Sequence, residues 1–190
     1  GKRAVVIGAG NTAIDGATCS VRLGAENVKV LYRRTEEEMT AYNFEYEFAK
    51  QDGVEFRWLT APKRIIGDEN GKVTGIECIK MNLGEPDQDG RRRPNPVEGS
   101  ECVIPVDAVI KAIGQTRHLE LIEALELQHK NGVVQVNKET YQTSNSKIYA
   151  CGDVVFGKGN GDAMVVTAAQ QGKLAAYNIH KQFTAVGTAK

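Results

Sequence analysis

A glycine-rich hexapeptide near the start of the sequence has residue types and spacing suited to binding a phosphate group. It reads Gly8-Ala9-Gly10-Asn11-Thr12-Ala13, a GxGxxA pattern between an apolar run and a stretch of helical character. Gly8 would permit a tight turn, Gly10 would let a pyrophosphate approach the main chain, and Ala13 would let a helix pack close to a strand. The N-terminus of that helix would add free N–H groups, which favours binding of a dinucleotide. The alternative is a glycine turn that serves only the packing of strand against helix.

Two arginines follow the second apolar run, where units that bind NAD usually carry an acidic residue. The sequence there is Tyr32-Arg33-Arg34. A carboxylate would repel a 2′-phosphate, whereas a guanidinium can bind it with two parallel hydrogen bonds. We therefore expect Arg33 and Arg34 to select NADP(H). The alternative is a pair of solvated arginines that balances the acidic residues at 36–38.

The elements that must position these residues form a β-α-β unit. Ala4–Ile7 has the uninterrupted apolar character of a strand that is buried on both faces. Asn11–Leu23 predicts a helix that Gly24 ends, and Val28–Tyr32 predicts the second strand. This order is typical of an α/β, Rossmann-like NAD(P)-binding domain with a parallel sheet.

The rest of the first half predicts one further helix and a β-meander. Thr35 and Glu38 form a capping box for a helix that we expect to run to about Gln51. The DENG turn at 68–71 predicts a hairpin between the apolar runs that flank it. Strands are expected over 54–59, 101–104 and 107–113, with a polar loop over 84–100. Residues 1–114 would then form a closed domain.

Less regular structure is predicted for the remainder of the chain. We expect a short helix over 118–127, short strands over 133–136 and 148–150, and a long alanine-rich helix over 162–183. This is little material for an independent hydrophobic core, so residues 115–190 are expected to be part of a second domain. The sequence begins Gly1-Lys2-Arg3-Ala4 and enters an apolar run at once, which suggests a piece of a longer polypeptide.

The composition excludes several classes of protein. The chain has 190 residues, 41% of them hydrophobic and 25% charged, which excludes a disordered tail, a collagen-like repeat and a disulfide scaffold. The 24 basic and 24 acidic residues cancel, so no global attraction to nucleic acid or anionic membrane is expected. No apolar run approaches the roughly 20 residues of a membrane span. The four cysteines lack CxxC spacing and are expected to be reduced, mostly buried thiols of a cytosolic protein.

Three other patterns suggest different functions, and each is weaker evidence than the glycine-rich motif. Tyr46 and Lys50 have the YxxxK spacing of the acid/base pair of short-chain dehydrogenases, but they follow the glycine turn too closely for that class. The arginines at 91–93 could contact nucleic acid, but no aromatic platform accompanies them, and solvated side chains are the simpler interpretation. The three histidines are too widely spread to predict a metal site.

Five motifs, in order along nearly the whole chain, make the sequence resemble one family. They are GAGNTAID at 8–15, LYRR at 31–34, LGEPDQDGRR at 83–92, DAVIKAIG at 107–114 and IYACGD at 148–153. The chain resembles the small (β) subunit of NADPH-dependent glutamate synthase and its relatives, which include the flavin module of dihydropyrimidine dehydrogenase. The resemblance implies that residues 1–114 are the NADPH-binding domain and that residues 115–190 are the C-terminal portion of an FAD-binding domain.

The resemblance also assigns residues to the two cofactors. Those implied to hold the NADPH pyrophosphate are Gly8, Gly10, Asn11, Thr12 and Ala13, and those implied to hold its 2′-phosphate are Arg33 and Arg34. Ala112, Ile113 and Gly114 resemble the crossover segment between the two domains. One departure is Met39-Thr40-Ala41, where relatives often carry Met-Pro-Ala, and we expect it only to loosen a helical turn.

The second half carries the residues that the resemblance assigns to FAD. Gly152 and Asp153 resemble the motif whose Asp binds the ribityl and pyrophosphate region of the flavin cofactor. Val166, Thr167 and Ala168 would lie near the start of the long helix and point at the flavin. A helix N-terminus there would stabilise negative charge on the reduced flavin.

The implied reaction is hydride transfer from NADPH to the N5 atom of FAD, after which electrons leave through iron–sulfur clusters. Hydride transfer needs no general acid or base, so no catalytic side chain is predicted. The implied partners are the FAD-binding N-terminal half and the iron–sulfur region of the same parent chain, and an electron-accepting subunit or domain. The alternatives are a nucleotide-binding or docking module without turnover of its own and the pyrimidine-reducing relative. We expect a cytoplasmic protein without nucleic-acid or membrane partners, inactive as an isolated fragment.

Overall fold

The chain divides into two compact units, Gly1–Gly114 and Gln115–Lys190. The computed structural model describes residues 2–86, 90, 92–157 and 163–187. No helix within those residues is long and apolar enough to cross a membrane.

A parallel sheet forms the centre of the first unit. The elements of this unit are β1 Arg3–Ile7, α1 Asn11–Arg22, β2 Asn27–Leu31, α2 Asn43–Gln51, β3 Glu55–Arg57, β4 Thr60–Gly67, β5 Val73–Pro86, β6 Arg92–Pro96, β7 Cys102–Pro105 and β8 Ala108–Lys111. The parallel sheet has the strand order β3-β2-β1-β8. The predicted α/β class with a parallel sheet is confirmed.

The central strand β1 contributes side chains to two hydrophobic cores. Ala4 and Val6 pack with the helix side of the sheet, whereas Val5 packs with Ile76 and Cys78 of the meander. Successive side chains of a strand point to opposite faces, so a strand covered on both faces has to be apolar throughout. This is why the first strand could be recognised from an unbroken apolar run.

The segment after β2 differs from the prediction of one continuous helix. The predicted capping box is present, because Thr35 and Glu38 bond each other through side chain and main chain, but it caps only a 3₁₀ turn, Glu36–Glu38. Met39 then has extended backbone, with φ −63° and ψ 139°, and so does Tyr42, with φ −65° and ψ 136°. The helix α2 is therefore a separate element.

The predicted hairpin at 68–71 joins β4 to β5. Asp68 Oδ1 accepts hydrogen bonds from the N–H groups of Asn70 and Lys72, both at 2.9 Å. Gly71 has a φ of +77°, a conformation that glycine adopts without strain. The meander is confirmed, since β5 pairs antiparallel with β4, β6 and β7.

The predicted polar loop over 84–100 is largely a second hairpin. The strand β5 continues to Pro86, and β6 pairs with it from Met81↔Pro96 to Pro86↔Arg92. The strand β6 lies at the end of the order β4-β5-β6, where a proline that cannot donate to a neighbouring strand is tolerated. Its polar, proline-rich sequence therefore hides a strand.

The second unit is built from shorter elements. They are α3 Leu119–Ala124, β9 His129–Lys130, β10 Val133–Val134, a 3₁₀ turn Gly152–Val155 and α4 Val165–Gly187. Its buried core consists of Ile122, Leu127 and Val134. The strand expected over 148–150 is reduced to one isolated bridge between Gln142 and Tyr149.

The cysteines are all free, as predicted, but most of them are not buried. Cys78 is buried, Cys151 is half-buried, and Cys19 and Cys102 are exposed. The expectation of mostly buried thiols is therefore wrong. Cys19 lies on α1, and Cys102 begins β7 at the position opposite the buried Cys78 of β5.

Candidate dinucleotide-binding site

The glycine turn places its first glycine against the end of a neighbouring strand. The N–H of Gly8 donates to the carbonyl of Leu31 at 3.0 Å, and the N–H of Ala112 donates to the carbonyl of Ile7 at 2.9 Å. A Cβ on Gly8 would lie 2.9 Å from the carbonyl carbon of Ala112 and closer still to its oxygen, and φ is +124°. Glycine is required here both for the backbone conformation and for the close approach of the two chains.

The helix α1 begins directly after this turn and leaves main-chain donors free. Gly10 is the N-cap residue, and its carbonyl accepts hydrogen bonds from Ala13 at 2.8 Å and from Ile14 at 3.2 Å. Among the described residues, no acceptor is bonded to the N–H groups of Gly10, Asn11 and Thr12. Free N–H groups at the positive end of a helix favour an anion. Ala13 is fully buried against the sheet, as the motif predicts.

The extended segment after the 3₁₀ turn packs on the glycine turn, a contact that sequence reasoning missed. The N–H groups of Thr40 and Ala41 donate to the carbonyl of Ala9 at 3.2 and 3.1 Å, and the N–H of Tyr42 donates to Asn11 Oδ1 at 2.9 Å. A Cβ on Gly10 would lie 3.4 Å from Thr40 Oγ1. The expectation that this segment only loosens a helical turn is wrong.

The two arginines at the end of β2 differ in their surroundings. Arg33 is exposed, and no described residue forms an ion pair or hydrogen bond with its guanidinium. Arg34 is half-buried, and its Nε donates to the main-chain carbonyl of Arg92 at 3.1 Å. Among the described residues, the guanidinium of Arg33 therefore has no partner, and that of Arg34 is oriented by the second hairpin.

Arg92 is not the solvated loop residue that the sequence predicted. Its Nε donates to Glu38 Oε1 at 3.1 Å, and its Nη2 lies 3.8 Å from Glu37 Oε2. The hydroxyl and N–H of Thr35 together with Arg92 lower the pKa of Glu38 below its usual value. Glu38 is therefore held as a carboxylate beside the arginines. Arg91 lies outside the described residues.

The segment at 112–114 lies beside the glycine turn, where β8 ends. Ala112 contacts Gly8, the side chain of Ile113 is 64% exposed, and Gly114 has a φ of +92°. The carboxyl ends of β1, β2 and β8 therefore bring together the glycine turn, the arginines and this segment. Ligands of open parallel sheets bind outside the carboxyl ends of the strands.

The residues assigned to the flavin form one cluster within the second unit. Gly152 is buried with a φ of +74°, and a Cβ there would lie 3.4 Å from the Cβ of Ala168. Asp153 is exposed, and Thr167 and Ala168 lie in the first turn of α4 and are half-buried. Gln171, which sequence reasoning missed, accepts a hydrogen bond from the N–H of Gly152 through Oε1 at 2.8 Å.

The model of the pyridine nucleotide-disulphide oxidoreductases matches residues 1–172. The chain belongs to this family.

Curated relatives agree with the predicted resemblance, which is confirmed. The chain is 42% identical over 184 residues to the glutamate synthase [NADPH] small chain of Escherichia coli (strain K12), and this match covers 94% of this chain and 38% of the relative. It is 39% identical over 188 residues to the NADP(+)-dependent formate dehydrogenase subunit beta of Moorella thermoacetica, 99% of this chain and 26% of the relative. It is 52% identical over 122 residues to an NADPH-Fe(3+) oxidoreductase subunit beta of Geobacter sulfurreducens, and this match covers 64% of this chain and 18% of the relative. The chain spans less than half the length of these relatives.

A solved structure shows the same fold. The crystal structure of T. acidophilum thioredoxin reductase superposes with a TM-score of 0.73 at 23% identity, over 97% of this chain and 53% of that chain. At this level of identity the likeness shows the fold alone, and it agrees with the α/β class described above.

Within this family member, Tyr46 and Lys50 do not form an acid/base pair. Burial, followed by a hydrogen bond to Glu36, raises the pKa of Tyr46 to about 12. Lys50 Nζ lies over the Tyr46 ring at 4.7 Å and pairs with Glu47 at 3.0 Å. A general acid/base needs a pKa near the working pH, so the interpretation as an ordinary pair on α2 stands.

The residues present fit the cofactors of the family. NADP(H) fits the first unit, because free N–H groups at the start of α1 and the free guanidinium of Arg33 offer donors to two anionic groups. FAD fits the second unit in part, because the close packing of Gly152 on Ala168 leaves the exposed carboxylate of Asp153 beside a helix N-terminus.

Proposed function

We propose that Gly1–Gly114 is an NADPH-binding domain. The pyrophosphate would bind the free N–H groups of Gly10, Asn11 and Thr12, while Gly8 and Ala13 hold the turn against the sheet. The observation that carries the proposal is the position of these donors beside the arginine pair, at the carboxyl ends of neighbouring parallel strands. The three curated relatives described above all carry NADP(+) or NADPH in their names.

Arg33 and Arg34 would select the 2′-phosphate of NADPH. Arg33 has no competing partner among the described residues, and Arg34 keeps its two terminal nitrogens for the ligand. A hydrogen bond to a charged group contributes about 1.5–3 kcal/mol. Two such bonds would favour NADPH over NADH by about a hundredfold or more.

Gln115–Lys190 would be the C-terminal portion of an FAD-binding domain. Gly152 and Asp153 would face the ribityl and pyrophosphate region, and Thr167 and Ala168 would present the N-terminus of α4 to the flavin. The close packing of Gly152 on Ala168 supports this assignment, since a Cβ at Gly152 would lie 3.4 Å from the Cβ of Ala168. Ala112, Ile113 and Gly114 would form the crossover into this domain.

The parent protein would be an NADPH-dependent flavin oxidoreductase. Hydride would pass from NADPH to N5 of FAD, and electrons would continue through iron–sulfur clusters to an electron-accepting subunit or domain. The role of this chain is to bind and orient NADPH, for which the main-chain donors at 10–12 and the arginines are sufficient. The FAD-binding N-terminal half and the iron–sulfur region would belong to the same parent chain.

The names of the relatives support a common electron donor but not a common electron acceptor. Their names share NADP(+) or NADPH and differ in the second substrate, so the proposal specifies the electron donor and leaves the acceptor open. Four free thiols are typical of a reducing compartment and support a cytoplasmic location as part of the same proposal.

Fluorescence titration of the 190-residue chain with NADPH and with NADH tests the first step. The double variant Arg33→Ala/Arg34→Ala should weaken NADPH binding about a hundredfold and leave NADH binding nearly unchanged. Arg64→Ala, which removes an exposed arginine of β4, is the matched control and should change neither constant. Equal losses for both nucleotides in the double variant would contradict the assignment.

A further inference from the structure

We infer that the ion pair between Arg92 and Glu38 positions the guanidinium of Arg34 for the 2′-phosphate, so that the β5–β6 hairpin takes part in selecting NADPH over NADH. The inference rests on the proposed function, because it concerns the same phosphate site. Arg92 acts through Arg34 and is a positioning residue.

The orientation of Arg34 depends on a carbonyl of the hairpin. Its side chain forms one hydrogen bond within the described part of the chain, from Nε to the main-chain oxygen of Arg92 at 3.1 Å. A guanidinium is planar, so a bond at Nε restrains the plane of the whole group. No described residue bonds the two terminal nitrogens of Arg34, which could therefore form a bidentate bond with a phosphate. Where the Arg92 carbonyl lies therefore determines where this pair of donors points.

The side chain of Arg92 holds that carbonyl in place. Its Nε donates to Glu38 Oε1 at 3.1 Å. Glu38 is itself fixed, because its Oε2 accepts hydrogen bonds from the N–H of Thr35 at 3.0 Å and from the Thr35 hydroxyl. The side chain of Glu38 is 19% exposed, whereas that of Glu37 is 86% exposed, so Glu38 is the stronger partner of Arg92.

Main-chain pairing alone fixes the start of β6 poorly. Arg92 is the first residue of β6, and its pairing with Pro86 follows a register irregularity between Leu83 and Pro86. Pro94 and Pro86 cannot donate hydrogen bonds to the ladder. The ion pair with Glu38 therefore anchors the end of a strand whose ladder is interrupted.

The charge balance favours positioning over direct binding of the phosphate by Arg92. Two carboxylates, of Glu37 and Glu38, lie within 3.8 Å of its guanidinium and offset its positive charge. Arg93 is the contrasting residue on the same strand. It is exposed and has no bonded partner among the residues that the structure describes.

A double-mutant cycle on the ratio of the NADH and NADPH dissociation constants tests the inference. Arg92→Ala should lower the preference for NADPH about tenfold, the effect of one weakened hydrogen bond to a charged group. Glu38→Gln keeps the shape of the carboxylate and should lower the preference in the same direction. In the background of Arg34→Ala, the change at Arg92 should have no further effect. Arg93→Ala removes the same charge from the same strand and should leave the ratio unchanged.

Several outcomes would overturn the inference. An equal loss of NADPH and NADH affinity in Arg92→Ala would show a purely structural role, and an unchanged ratio would show no role. Additive effects of Arg92→Ala and Arg34→Ala would show that Arg92 touches the phosphate itself, and an equal effect of Arg93→Ala would show general attraction. Failure of the proposed function would give a different result from failure of this inference. If the proposed function is wrong, the double variant Arg33→Ala/Arg34→Ala leaves the ratio of the NADH and NADPH dissociation constants unchanged.

Discussion

Replacing Gly8 by alanine should destabilise the first unit more than any other single-methyl insertion in a turn. A residue with a Cβ at φ +124° is strained by about 1–3 kcal/mol. The new Cβ would also lie 2.9 Å from the carbonyl carbon of Ala112, and a main-chain group cannot rotate away as a side chain can. Such overpacking costs about 1–3 kcal/mol more, so we expect a loss of about 2–6 kcal/mol in the free energy of unfolding.

Gly24 provides a matched control for this prediction. It has a φ of +89°, but a Cβ there would meet nothing within 4 Å. Gly24→Ala should therefore show only the strain of the backbone, about 1–2 kcal/mol. Urea unfolding followed by Trp58 fluorescence reports on the first unit, since Trp58 is the one tryptophan of the sequence. If Gly8→Ala costs no more than Gly24→Ala, the close approach of the glycine turn to the end of β8 is not real.

Two further predictions concern the pH dependence of stability, measured by urea unfolding at a series of pH values. The side chain and N–H of Arg3 hold the pKa of Asp107 well below its usual range. Asp107 therefore adds stability at neutral pH that is lost as the pH falls. Asp107→Asn should be less stable than the wild type at pH 7, and this difference in the free energy of unfolding should shrink below about pH 4. Burial, followed by the charge of Asp15, raises the pKa of Glu45. The buried Oε2 of Glu45 has no hydrogen-bond partner among the described residues. The wild type should therefore lose stability as the pH rises through that raised pKa. Glu45→Gln should remove this loss of stability at higher pH. The prediction is contradicted if the variant and the wild type have the same dependence of stability on pH.

Local signals in the sequence predicted the parts of the fold that depend on local contacts. The strand β1, the helix stop at Gly24 and the turn at 68–71 each follow from a few adjacent residues and are present in the structure. The capping box of Thr35 and Glu38 was also predicted, but it led to a helix that is too long. A capping box fixes where a helical turn begins and not where it ends.

The departures from prediction arise where distant segments compete with local preference. The backbone at 39–42 gives up helical hydrogen bonds because Ala9 and Asn11, far earlier in the sequence, accept them instead. The strand β6 forms from proline-rich sequence because β5 provides a partner. Neither pairing leaves a periodic pattern in the segment concerned, so the contact of Arg34 with Arg92 could not be predicted from the sequence.

The cysteines bear on where electrons can go in a member of a family named for disulphide chemistry. The sequence contains four cysteines and no CxxC pair. Cys78 and Cys102 are opposite each other on β5 and β7, but both thiols are free, and a reduced thiol pair has no disulfide bond to accept electrons. Burial also raises the pKa of the Cys78 thiol to about 11, which disfavours the thiolate that disulfide formation by exchange needs. This pair is therefore a poor acceptor for electrons from a nicotinamide. A flavin outside the first unit is the simpler acceptor, which is why the proposed function assigns this chain the binding of NADPH and no thiol chemistry.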